Sequence, residues 1–218
     1  MTVSPARAWR VFPWDPDAAA GERFSPAYVP PGQGKGRFDL PGVPGGVLYL
    51  AETPEHAAAE LVQQYRGQTL ADPDLVVAGR RLALVAVALP DPLREEVLDL
   101  CDAAELLRLG VRPDETASRD RGATQRISAA VHAAGHAGLR WWSVFSGDWH
   151  TALLFRDRIR EPLTFDAPEP LAVDHPALRE AARALGIRIE EPARRSRREA
   201  PGVPANAPAP GEGGGTGA

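Results

Sequence analysis

The sequence predicts a single α+β domain built on a mixed β-sheet. Strand-like and helix-like segments alternate without a regular βαβ period, and the strand signals are short. With 218 residues, 44% of them hydrophobic and 25% charged, the chain can bury the core of one ordinary domain.

Trp9 to Phe12 and Val47 to Leu50 are expected as strands. Thr53-Pro54-Glu55 then opens a helix, because Thr caps, Pro fits the first turn and an acid suits the positive end of the dipole. Ala57, Ala58, Leu61, Val62 and Tyr65 give that helix its apolar face. Arg81 to Leu89 alternates as a half-buried strand. Helices are expected over Asp102 to Leu109, closed by Gly110, and over Ala123 to Ala134; Leu139 to Trp142 and Thr151 to Phe155 are late strands. The main domain therefore runs from Ala6 to Asp166. Residues 167–191 form a C-terminal extension, in which Asp174 caps a helix, Pro176 sits in its first turn and Gly186 ends it before a short strand through Ile187 and Ile189. From Pro192 to residue 218 the chain is mostly Arg, Pro, Ala and Gly, with one large aliphatic residue, Val203. That composition cannot offset its conformational entropy, so a disordered tail is expected.

Charge and composition narrow the function classes. A net charge of −4 gives no reason to expect direct nucleic-acid or membrane-surface binding, and the cluster Arg194, Arg195, Arg197 and Arg198 is short, without interleaved aromatics. Cys101 is the only cysteine and cannot form an internal disulfide, which suits a reducing cytoplasm. The chain shows neither the apolar core of a signal peptide nor a run long enough to cross a bilayer, so a cytoplasmic protein is expected. Lys35 is the only lysine.

Several constellations carry chemistry in other proteins but fit poorly here. His132 and His136 have the i, i+4 spacing that can share a metal, yet lack the Glu of the zinc protease motif and have no cysteine nearby, so no metal site is expected. Ser143 or Ser146 with Asp148 and His150 supplies the residue types of a hydrolase triad, but crowded along one segment and without a nucleophile elbow. The loop Pro31-Gly32-Gln33-Gly34-Lys35-Gly36-Arg37 is glycine-rich without being a Walker A loop, since no Ser or Thr follows the Gly-Lys pair and no helix succeeds the loop.

The loop gains meaning from the segments C-terminal to it. Gly36-Arg37-Phe38-Asp39-Leu40-Pro41-Gly42 leads into Val47-Leu48-Tyr49-Leu50-Ala51-Glu52-Thr53 and then Ala58-Ala59-Glu60-Leu61; later come Thr124-Gln125, Gly138-Leu139-Arg140-Trp141-Trp142-Ser143 and Ala152-Leu153-Leu154-Phe155. In order and spacing this resembles the RES domain, named for its Arg, Glu and Ser, from Trp9 to about Phe165. Two positions depart from the family pattern: Phe38-Asp39 stands where Trp-Asn is expected, and His150 where Asn or a small residue is expected.

The resemblance implies a curved mixed sheet similar to that of the ADP-ribosyltransferase toxins, with NAD bound in a cleft as substrate and no cofactor or metal. It implies cleavage of the nicotinamide–ribose bond, by hydrolysis or phosphorolysis, through an oxocarbenium-like transition state that a carboxylate stabilises. Carried over residue by residue, Glu60 is that carboxylate, Arg37 grips phosphate, Ser143 meets the ribose side and Tyr49 the nicotinamide. Arg10, on the first strand, is a second phosphate-binding candidate. RES proteins are commonly the toxin of a toxin–antitoxin pair, which implies a helix-turn-helix antitoxin partner. Transfer of ADP-ribose to a protein, and an inactive RES-like binding module, are the alternatives.

Overall fold

A computed structural model describes residues 6–31 and 33–190. The expected disordered tail and its arginine cluster lie outside the described residues. In chain order the strands are β1 (Arg7–Pro13), β2 (Val47–Ala51), β3 (Thr69–Leu70), β4 (Val76–Val77), β5 (Arg80–Ala88), β6 (Val97–Asp99), β7 (Gly138–Trp142), β8 (His150–Phe155), β9 (Thr164–Phe165), β10 (Glu169–Pro170) and β11 (Arg188–Ile189). The helices are α1 (Pro54–Val62), α2 (Asp91–Glu95), α3 (Ala103–Leu109), α4 (Pro113–Thr116), α5 (Arg121–Ala133) and α6 (Pro176–Leu185).

Nine strands form one mixed sheet with the central order β10-β5-β1-β2-β8-β7-β6, and β4 and β9 also pair with β5. Every pairing in it is antiparallel except β6 with β7. The α+β class and the mixed sheet agree with the sequence reading. A separate two-stranded pair joins β11 to β3 in parallel.

The middle of the sheet is uneven. β1 pairs with β5 along seven residues, Arg7 to Pro13, but meets β2 only at Trp9↔Ala51. A ladder this short lets the two strands part on either side of the single pair.

Side chains alternate across the sheet, which sorts the core into layers. On one face Val47, Leu139, Trp141, Leu153 and Phe155 pack with Phe38 and with Leu106, Ile127 and Val131 of α3 and α5. On the same face nearer β5, Ala51, Leu82 and Leu84 pack under α1 and α6. The opposite face buries Ala8, Leu48, Leu50 and Val87 against Leu89 and Leu93. Two groups of helices thus cover one face from its two ends.

The local signals explain most boundaries. The hydroxyl of Thr53 accepts from the His56 amide at 3.3 Å, with Pro54 at the first helical position. Asp102 caps α3, and Gly110 closes it in the left-handed region at φ +65°. Helix α1 is shorter than its apolar pattern suggested: it ends at Val62, and Gln63–Tyr65 tighten into a 3-10 turn. Its buried side is His56, Ala57, Ala58, Ala59 and Val62, while Leu61 is only partly buried. These small residues let α6 pack close, through Ala177, Leu178, Ala181, Ala182 and Leu185. The cap of α6 is His175, whose Nδ1 accepts from the Ala177 amide at 3.2 Å, and not Asp174. Residues 167–190 are sewn into the same core, since β10 pairs with β5 and Leu171 and Leu178 are fully buried there.

Candidate functional site

Between the two helix groups the sheet face is left open as a cleft of about 730 Å³. Its floor is Trp9 and Val11 of β1, Tyr49 and Ala51 of β2, Trp141 of β7 and Thr151 of β8; Glu60 and Leu61 of α1 form one wall. The glycine loop with Lys35 and Arg37, and Arg121 at the start of α5, form the other.

Arg37, Tyr49, Glu60 and Ser143 all line this cleft, though far apart in sequence. Arg10 also borders it, but from elsewhere: it alternates with Trp9 and Val11 and so leaves β1 from the other side. One guanidinium nitrogen of Arg10 donates to the carbonyls of Pro26 at 2.8 Å and Tyr28 at 3.0 Å. Burial, and then the charge of Arg156, pulls its pKa down to about 10. Its nearest partners therefore shape the 26–28 wall.

The glycine loop owes its form to Asp39. One oxygen of that buried carboxylate accepts from the amides of Gly34 and Gly36, each at 2.7 Å, and the other accepts from the Tyr49 hydroxyl at 2.7 Å. Gly36 has to be glycine, because a Cβ there would lie 2.6 Å from the Tyr49 oxygen and closer still to the Asp39 carboxylate. Gln125 of α5 clamps the loop from above, its amide donating to the carbonyls of Gly34 and Gly36 at 3.1 Å each. Tyr49 thus offers its ring to the cleft, while its hydroxyl is held by Asp39. Burial first, and then the bond to Asp39 and its charge, raises the phenol pKa well above the ordinary value.

Arg37 reaches across to α4, donating to the Thr116 carbonyl. Its own carbonyl accepts from the Thr124 hydroxyl, and Phe38 beneath it is fully buried against Trp141, ring centroids 4.4 Å apart. The Arg37 Nε is buried with no hydrogen-bond partner among the described residues. Burial lowers the pKa of this guanidinium, opposed by the charges of Glu60 and Tyr49. A buried donor without an acceptor costs about 1–3 kcal/mol.

Glu60 sits at the last turn of α1 with its side chain 43% exposed, partly open to the cleft. Its Oε1 accepts from the Ser143 hydroxyl at 3.4 Å and lies 3.0 Å from Nε2 of His56, one turn earlier on the same helix. Ser143 comes directly after the last residue of β7 and is buried, its amide donating to the Trp149 carbonyl at 2.7 Å.

Behind the floor lies a buried charge cluster. Arg140 forms fork contacts with Glu52, at 2.5 and 3.1 Å, and donates to Asp99 at 3.0 and 3.1 Å; Nδ1 of His150 lies 3.5 Å from Glu52. Burial pulls the Arg140 pKa down, but Glu52 and Asp99 outweigh it and hold the value above the ordinary one. His150 goes the other way: burial, then the charge of Arg140, lowers its pKa. His150 belongs to this cluster through Glu52.

Sequence reasoning gave no role in the site to His56, Asp39, Lys35 or Arg121. The spacing of His56 and Glu60 on one predicted helix was a usable signal for the first. His132, weighed as a metal ligand, instead meets Asp157 at 2.9 Å, and Ser146 caps the turn at Asp148.

The sequence profile of the family described as RES domain matches residues 7–183. Among solved structures the fold is similar to a chain in the crystal structure of the M. tuberculosis MbcT–MbcA toxin–antitoxin complex. The TM-score is 0.52 at 18% identity, over 85% of this chain and 91% of that one. No curated protein sequence matches the chain.

Proposed function

The chain belongs to the RES domain family, and from that premise we propose that it cleaves NAD at the nicotinamide–ribose bond. The observation that carries this reading is the meeting of Arg37, Tyr49, Glu60 and Ser143 in one cleft of about 730 Å³, within the range of small-molecule sites. Lys35, Arg37 and Arg121 line the cleft and supply positive charge for a pyrophosphate. The ring of Tyr49 receives the nicotinamide, and Ser143 the ribose. Arg10 shapes the wall beside this site and adds its charge from the far side of the sheet.

In the reaction the C1′–N bond breaks and its electron pair leaves with the nicotinamide nitrogen. The Glu60 carboxylate meets the positive charge developing on the ribose. Water or inorganic phosphate then adds through oxygen at C1′; with water, one proton is released to solvent.

The second half of the proposal is a toxin role with an antitoxin partner of the helix-turn-helix class. It rests on family membership and on the fold shared with a chain from a toxin–antitoxin complex.

Purified protein incubated with NAD, with and without phosphate, should release nicotinamide. Glu60→Gln keeps the shape and removes the charge, so it should lose on the order of a hundredfold or more in kcat. Arg37→Ala should act chiefly on KM, because phosphate is gripped in ground and transition state alike. Equal turnover by wild type and Glu60→Gln would remove Glu60 from the chemistry. No release by wild type would favour a binding module, and label transferred to protein without free ADP-ribose would favour a transferase.

A further inference from the structure

His56 is wholly buried and has no part in the proposed chemistry above, yet it touches the residue at its centre. Its Nδ1 lies 3.1 Å from the backbone carbonyl of His150. A carbonyl oxygen only accepts, so Nδ1 carries a hydrogen. The Nε2 lies 3.0 Å from Oε1 of Glu60. A neutral imidazole has a single N–H, already spent on His150, and would turn a lone pair toward a carboxylate oxygen. Two acceptors at that separation repel, whereas a proton between them makes a charge-assisted hydrogen bond. The ring's plane is held by stacking on Trp149, at 5.3 Å with 17° between planes.

We propose that His56 is the positioning residue of Glu60: the two side chains share one proton, which fixes Oε1 against the helix and leaves Oε2 for the cleft. The shared proton belongs to the folded protein whatever the ligand; its catalytic consequence rests on the NAD-cleaving reading. The bond sets the direction of the carboxylate on the last turn of α1, where a half-exposed Glu would otherwise sample many rotamers.

Other charged groups surround the pair. On the far side His150, Glu52, Arg140 and Asp99 form the buried cluster, and Arg37 acts on Glu60 from the loop. Burial first, and then the charge of Arg140, lowers the pKa of His150.

Nitrogen and carbon NMR of the labelled wild-type protein, without NAD, tests the proton directly. At neutral pH a proton should be found on Nε2 or on the Glu60 carboxyl, and alkaline titration should move both signals together. A bare Nε2 beside an ionised Glu60 at neutral pH would overturn the proposal. Kinetics test the consequence: kcat for nicotinamide release should fall on the alkaline side as the shared proton leaves. His56→Leu should lose about tenfold to a hundredfold in kcat with little change in KM. His56→Gln, whose amide donates at every pH, should recover part of that loss and flatten the alkaline limb. Wild-type kcat in His56→Leu, or an unchanged limb in His56→Gln, would remove the positioning role. A wild type that releases no nicotinamide would defeat the NAD reading alone, and the NMR result would still decide the proton.

Discussion

Asp39 receives three donors while only 4% exposed, so it acts as the knot of the glycine loop. Asp39→Ala would leave the Gly34 and Gly36 amides and the Tyr49 hydroxyl without an acceptor, costing about 2–3 kcal/mol. Urea unfolding should show this as a lower midpoint at unchanged slope. Asp39→Asn should be far milder, since the amide oxygen still accepts and the amide nitrogen can donate to a turned Tyr49 hydroxyl. This is the residue the family pattern puts there, so the departure at Asp39 keeps the geometry while adding charge. His150, the other departure, carries a pH signature. Its folded-state pKa lies below the ordinary 6.5, so the unfolded chain binds more protons as the pH falls. Stability is full above about 6.5 and declines as the pH drops toward the folded value. His150→Gln should flatten the fall of melting temperature between about pH 7 and pH 5. Arg37, Glu60 and Ser143 were legible because they sit in an ordered pattern of short motifs. Asp39 was not, because its side chain captures backbone amides in an irregular loop, where no periodicity marks the partner.

At the scale of elements, the pairing of α1 with α6 decides whether the C-terminal segment is ornament or core. Leu178 is fully buried among Ala57, Ala58 and Val62, so Leu178→Ala should destabilise the whole domain by about 2–4 kcal/mol. A single cooperative transition that moves as one, by circular dichroism and by tryptophan fluorescence together, is the expected result. A separate, earlier loss of helix would mean that residues 167–190 melt alone. The helix was visible in its proline and its closing glycine; its docking was not, because a local pattern marks an apolar face without marking its partner. Another limit hid β9, β10 and the parallel β6, each too short for alternation to declare itself. The long strands β5 and β7 and the helix α3 were read to within a residue, since their signals are local.

For the whole molecule, one sheet face covered from two ends leaves a cleft whose walls belong to different helix groups. A ligand spanning both should couple them, so NAD should raise the melting temperature of Glu60→Gln, which binds without turning over. Saturation at a hundred times Kd corresponds to about 2.7 kcal/mol, and Arg37→Ala should remove most of the shift. The uneven β1–β2 seam lay beyond sequence reading, because strand register is a long-range property with no local mark. Lys35 leads to a simpler experiment. As the chain's only lysine it gives a lysine-specific protease one place to cut, and that place is the rim of the cleft. Digestion of the native protein should therefore yield a single pair of fragments, at a rate set by how often the glycine loop detaches from Asp39 and Gln125. Occupancy of the cleft then becomes readable on a gel, as the lifetime of one peptide bond.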